Sequence, residues 1–161
     1  MTIKIVVAME IIFKTTNTQS NFNYCANLFK GKKVLNGFNR LSEELICEMV
    51  DSNEYSCQNV IFENKVEADL FICYPLQVVV KDCIKFQSLH ELISEIRRVY
   101  KQIYAEEIKS MKRISKSKTK SRGTSNGDFG IWGHDICDLV IESIKIVEGD
   151  TKPLVDVSIG S

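Results

Sequence analysis

The sequence predicts a single α+β domain: a largely antiparallel sheet with one long amphipathic helix, residues 88 to about 112, on one face and a β-hairpin at the C-terminal end. Three observations carry that expectation. Short apolar runs with a period of two recur between residues 57 and 86. Apolar side chains then fall at helical spacing from Leu89 to Ile103, and two β-rich runs flank the turn-like EGDTKP near the end. A chain of 161 residues, 44% hydrophobic and 26% charged, is the size of one ordinary domain with enough apolar mass for its own core.

Taken in order, Ile3 to Phe13 is rich in β-branched residues and lacks Gly and Pro, which suits a strand. Residues 14–40 are harder to assign and offer only a short strand or turn around Val34 and Leu35. Next, RLSEELICEMVDS places Leu41, Leu45, Ile46 and Met49 at helical spacing with Glu43 and Glu44 near the start, so a short helix is expected there. The runs NVIFE, DLFICYPLQVVVKD and CIKF read as two or three antiparallel strands, with Val60, Phe62, Phe71, Cys73, Val78 and Val80 in a period of two. Pro75 cannot donate to a ladder and should mark an edge, bulge or break.

Ser88 and Glu91 form the S-x-x-E signature of a capping box that opens the long helix. Leu89, Leu92, Ile93, Ile96, Val99, Tyr100 and Ile103 make one stripe, while Glu95, Arg97, Arg98, Lys101 and Gln102 are expected to face away. Residues 112–128 are nearly devoid of apolar side chains and read as a flexible basic loop within the single domain 1–161.

Charge and cysteine usage narrow the setting. With 21 basic and 21 acidic side chains the formal net charge is zero, so no global field draws the chain to nucleic acid or to an anionic membrane. Six cysteines at 25, 47, 57, 73, 83 and 137 include no C-x-x-C, which favours reduced, buried thiols over a disulfide scaffold. Glu10 interrupts the apolar start and no cleavage site follows, so neither a signal peptide nor a membrane span is expected. The expected location is a reducing, cytoplasmic compartment.

Two stretches hold the unusual chemistry. NGDFGIWGHD, residues 126–135, contains the only Trp, one of two His and three of eight Gly. Trp132, His134 and Asp135 are its candidate ligand-binding residues, set against a structural reading in which glycines 127, 130 and 133 and the aromatics Phe129 and Trp132 form a docked turn. The tripeptide Asp128 to Gly130 spells the D-F-G of kinase magnesium sites, but no H-R-D-type loop or strand lysine accompanies it. His134, Asp135, Cys137 and Asp138 are four metal-ligating types in five residues; on an extended chain His134 and Asp138 would face away from Asp135 and Cys137, so no metal is assigned. A Cys–His pair of Cys137 or Cys25 with His134 would need proximity that spacing does not supply.

The second stretch is basic: Lys112, Arg113, Lys116, Lys118, Lys120 and Arg122 place six cations in eleven residues. Such a segment neutralises phosphates without reading sequence, and it lacks aromatics for base stacking. Ser115 follows Lys112, Arg113 and Ile114 in the basic context of a phosphorylation site, where a phosphate would cancel much of the local charge.

Walker, Rossmann and nucleophile-elbow motifs are all missing, and no cofactor is expected. The leading expectation is a non-enzymatic interaction or adaptor module whose partner is a protein. Nucleic-acid binding through residues 112–122 is the first alternative, and a small-ligand or metal-dependent site at the Trp132 and His134 turn is the second. A sheet backed by one helix leaves its other face for a homodimer.

Overall fold

A computed structural model describes residues 8–14, 33–35, 42–51, 54–55, 60–111 and 123–160, with side chains described at 10–11, 61–111 and 123–160. The candidate basic residues Lys112, Arg113, Lys116, Lys118, Lys120 and Arg122, together with Ser115 and Cys25, lie outside the described residues.

The chain is a single α+β domain. Strands β1 (Ala8–Lys14), β2 (Lys33–Leu35), β3 (Ser42–Asp51), β4 (Glu54–Tyr55), β5 (Val60–Ile72) and β6 (Val80–Ser88) precede the helix α1 (Leu89–Ser110). A 3-10 turn (Ile136–Asp138) and strands β7 (Val140–Val147) and β8 (Leu154–Gly160) follow it. The sheet runs β6-β5-β8-β7-β1-β3-β4, and β2 pairs with the start of β5. It is mixed: β5–β6, β7–β8, β1–β7 and β3–β4 are antiparallel, whereas β1–β3, β2–β5 and β5–β8 are parallel. Strands β7 and β8 are antiparallel neighbours, but residues 148–153 join them by more than a tight turn and the register shifts between Ile141 and Ser143.

Residues 42–51 correct the expected short helix. They form β3, in parallel register with β1 from Ala8↔Ser42 to Lys14↔Glu48. Leu45, Ile46 and Met49 satisfy a helical period, but the segment also carries Ile, Cys and Val, which suit a strand. Pairing with β1 overrides a weak local preference.

Between residues 60 and 88 the expected two or three strands are two. The polar residues 63–65 do not break the first of them: a register shift between Ile61 and Val66 carries β5 through to Ile72. Val66, Ala68, Leu70 and Ile72 then point to the core in alternation and meet Ile84 and Phe86 of β6. Phe62 stacks edge-on against Phe86, ring centroids 5.2 Å apart. As Pro75 suggested, the strand stops before it, and the Tyr74–Pro75 peptide is cis.

Helix α1 covers this apolar face. All seven residues of the expected stripe are buried, and the N-cap is as read: Ser88 Oγ accepts from Glu91 N at 3.1 Å. The reciprocal half is shifted by one residue, since Glu91 Oε2 accepts from Gln87 N at 2.6 Å. Arg97 is buried rather than turned to solvent. Arg98, which does face out, reaches both Glu95 (3.0 Å) and Asp82 of β6 (3.2 Å), pinning the helix to the edge strand.

The opposite face of the sheet is charged. Lys85 pairs with Glu67 (3.2 Å), Lys81 with Asp69 (3.1 Å), and Lys145 with Glu10 (3.9 Å). Alternation along β5, β6, β7 and β8 therefore separates a dry side under the helix from a wet one.

Candidate functional site

Helix α1, the turn between β5 and β6, and residues 123–138 converge at the C-terminal end of the helix. The organising group is Glu107, four residues beyond Ile103 on the buried side of the helix and only 2% exposed. Its Oε1 accepts from Gly127 N at 2.8 Å and from the Ser125 hydroxyl, and its Oε2 accepts from Phe129 N at 2.7 Å. A single carboxylate thus replaces the ladder partners that this loop's backbone donors would otherwise lack. Burial raises the Glu107 pKa, but hydrogen bonds from Ser125 and from the Phe129, Gly127 and Gly130 amides outweigh it and hold the carboxyl below its ordinary value.

Those bonds explain the glycines. A Cβ at Gly127 would lie 2.5 Å from the Glu107 carboxyl carbon, and Gly130 has φ +63° with a hypothetical Cβ 2.9 Å from Gln77 Oε1. The loop is also sewn to the β5–β6 turn: Gln77 N donates to Phe129 O (3.0 Å), and Trp132 N donates to Pro75 O (2.9 Å). Ser125 Oγ, while donating to Glu107, accepts from Ile131 N at 2.7 Å.

The candidate ligand-binding residues are brought to the surface of this knot. Trp132 is 56% exposed, Asp135 is exposed and His134 is half-buried. The His134 ring lies between Trp132 (centroids 5.7 Å apart) and Tyr74 (5.9 Å). Its backbone carbonyl accepts from Tyr104 Oη at 3.0 Å, and Tyr100 Oη donates to Tyr74 O at 2.7 Å. Burial pushes both phenols far above their ordinary range, so at neutral pH they act as fixed hydrogen-bond donors.

Residues 135–138 depart from the extended geometry assumed in reading the sequence. The 3-10 turn swings the ligating atoms of Asp135, Cys137 and Asp138 to within 4.8 Å of one another, and His134 is not among them. Asp138 Oδ2 accepts from Asp135 N at 3.0 Å, and Asp138 N donates to the Asp135 backbone carbonyl at 3.0 Å. These reciprocal bonds close the turn, and the closed turn accounts for the proximity of the three side chains.

Beside the knot, an open groove of about 290 Å³ runs between the start of β6 and the outer flank of α1. Val80, Val99, Ile103 and Phe129 supply its apolar lining, and Lys81, Asp82, Arg98 and Glu106 its charges. Phe129 links groove and loop, because the same residue donates its amide to Glu107.

Among the described residues, Glu107, Ser125 and the tyrosines 74, 100 and 104 are the site residues that sequence reasoning did not single out. Glu107 had a signal: it continues the buried stripe 96, 99/100, 103 by one helical turn, where an acid needs a partner. No helix among the described residues is long and apolar enough to cross a membrane. No family model, curated protein or solved structure matches the chain, so the geometry alone carries the functional reading.

Proposed function

We propose that the chain is a non-catalytic interaction module that docks a protein partner at the helix C-terminal end of the domain. One observation carries this reading. Among the described residues the exposed large apolar side chains are Val78, Val79, Ile108, Met111 and Trp132. All belong to the three segments that meet in the Glu107 knot: the β5–β6 turn, the last turn of α1 with its cap, and the 123–135 loop. Apolar groups held in solvent by a rigid, hydrogen-bonded frame are suited to burial against an apolar surface of another protein. The charged sheet face is less suited, because its ion pairs would have to be desolvated.

The test places a photo-crosslinking amino acid at Val79, at Trp132 and, as a control, at Lys145 on the charged face. Crosslinks to one discrete protein are expected from the first two positions and not from the third, and Ile108→Asp should abolish them. Equal labelling from all three positions, or labelling unchanged by Ile108→Asp, would overturn the reading. Oligonucleotide titration of the same protein is a separate arm: salt-sensitive binding lost on neutralising Lys112 to Arg122 would replace the protein partner with nucleic acid.

A further inference from the structure

The charged sheet face carries one thiol set inside its ion pairs. Cys83, exposed on β6, stands directly opposite Asp69 of β5 in the antiparallel register. Lys152, from the connection between β7 and β8, brings its Nζ to 3.4 Å from Cys83 Sγ. The same ammonium lies 3.3 Å from Asp69 Oδ1 and 3.6 Å from Glu67 Oε1, and Glu67 Oε1 in turn is 3.5 Å from Cys83 Sγ. A thiol, an amine and a carboxylate that can take a proton are therefore mutual neighbours. They come from three segments of which Cys83 and Lys152 are 69 residues apart in sequence.

We propose that Cys83 and Lys152 are an oxidative modification site, in which a peroxide converts the pair into a covalent sulfur–nitrogen link between β6 and the β7–β8 connection. In the first step Cys83 Sγ attacks one peroxide oxygen. The O–O bond breaks and an S–O bond forms, giving the sulfenic acid. Sulfur loses two electrons, and the second peroxide oxygen leaves as water with the thiol proton. In the second step the Lys152 ammonium passes a proton to the Glu67 carboxylate, and the amine attacks the sulfenic sulfur. The S–N bond forms, the S–O bond breaks, and the sulfenic oxygen departs as water with the second nitrogen proton. One peroxide is consumed, two waters are released, and once Glu67 gives up its proton to solvent the face has lost one positive charge.

Three features favour this end point over progressive oxidation. The amine is already beside sulfur, so the second step is intramolecular and competes with attack by further peroxide. Asp69, only 10% exposed in its side chain, holds Lys152 in place. Lys81 and Lys85 share the Asp69 and Glu67 carboxylates with Lys152, and Lys152 is the one of the three that also lies against sulfur.

The experiment treats the purified full chain with hydrogen peroxide at low protein concentration, followed by intact mass measurement and peptide mapping without reductant. The expected product is about 2 Da lighter than the reduced chain, contains a joined peptide spanning Cys83 and Lys152, and is reversed by dithiothreitol. Lys152→Arg keeps the positive charge but not the amine. In that variant Cys83 should form no link but a sulfenic acid about 16 Da heavier than the reduced chain, which dimedone traps and which excess peroxide carries on to sulfinic acid. Circular dichroism confirms that the variant remains folded. The proposal is overturned if the Cys83 and Lys152 peptides stay separate in the wild type while Cys83 oxidises at the rate seen in Lys152→Arg, or if the 2 Da loss maps to a disulfide.

Discussion

Replacing Glu107 by glutamine is the most direct perturbation of the knot at the end of α1, because it keeps the side-chain shape and removes only charge and one acceptor. The amide oxygen best occupies the Oε1 position, which serves Gly127 N and Ser125 Oγ, so the new NH₂ confronts the Phe129 amide that Oε2 accepts in the native protein. A hydrogen bond to a charged group is worth about 1.5–3 kcal/mol, and an unsatisfied buried donor costs about 1–3 kcal/mol. Because the two figures overlap, the expected loss is about 2–4 kcal/mol. For a chain of this size that corresponds to a Tm lowered by roughly 5–15 °C. Urea unfolding should be followed by far-ultraviolet circular dichroism and by Trp132 fluorescence, since the only tryptophan sits in the loop that Glu107 holds.

The pH dependence supplies a second readout. The native Glu107 pKa lies below its ordinary value of 4.5, so its stabilising contribution is complete above the unfolded value and is lost as pH falls through the folded one. The stability gap between wild type and Glu107→Gln should therefore be full at pH 7 and narrow below about pH 4.5. A variant within about 0.5 kcal/mol of wild type at pH 7, or a gap that stays constant on acidification, would refute the account of Glu107 as an anchoring carboxylate.

Two further outcomes are expected from the same region. Gly130→Ala and Gly133→Ala both place a side chain at positive φ, about 1–2 kcal/mol each, but only the former also meets Gln77, so urea midpoints should fall further for Gly130→Ala; equal falls would contradict the packing described. Tyr100→Phe removes the bond to Tyr74 O and should cost about 1 kcal/mol at neutral pH. Because burial raises the Tyr100 pKa in the folded state, its contribution is present below the ordinary value of 10.0 and is lost as pH rises beyond it, so the Phe variant should show a shallower alkaline decline by circular dichroism.

Legibility in the sequence follows the range of the interaction that decides each element. The long helix was readable because its cap and its stripe are local: Ser88 and Glu91 are three apart, and Leu89 to Ile103 repeat within one segment. Residues 42–51 were misread because their structure is decided by β1, which is distant in sequence. The same applies to the parallel pairing of β5 with β8, which no local turn signal announces. At the knot, the composition of residues 126–135 pointed to a glycine-rich aromatic turn, and such a turn is present. Its binding partner, a carboxylate eighteen to twenty-two residues upstream, became visible only when Ser125, Gly127 and Phe129 were seen to share it. Asp135 and Cys137 show the converse error, in which an assumed extended chain hid a 3-10 turn.

The corner at Ser88 has a consequence for evolution of the chain. This residue both ends β6 and caps α1, and its φ of −135° and ψ of 161° satisfy a strand and an N-cap at once. No spacer residue lies between the two elements. Inserting one residue there would rotate the helix by about 100° about its axis relative to the sheet, carrying Leu92, Ile96 and Tyr100 out of register with Ile84 and Phe86. The corner therefore works as a phase lock: with no spacer to absorb a length change, the reading frame of the core itself is set at this point.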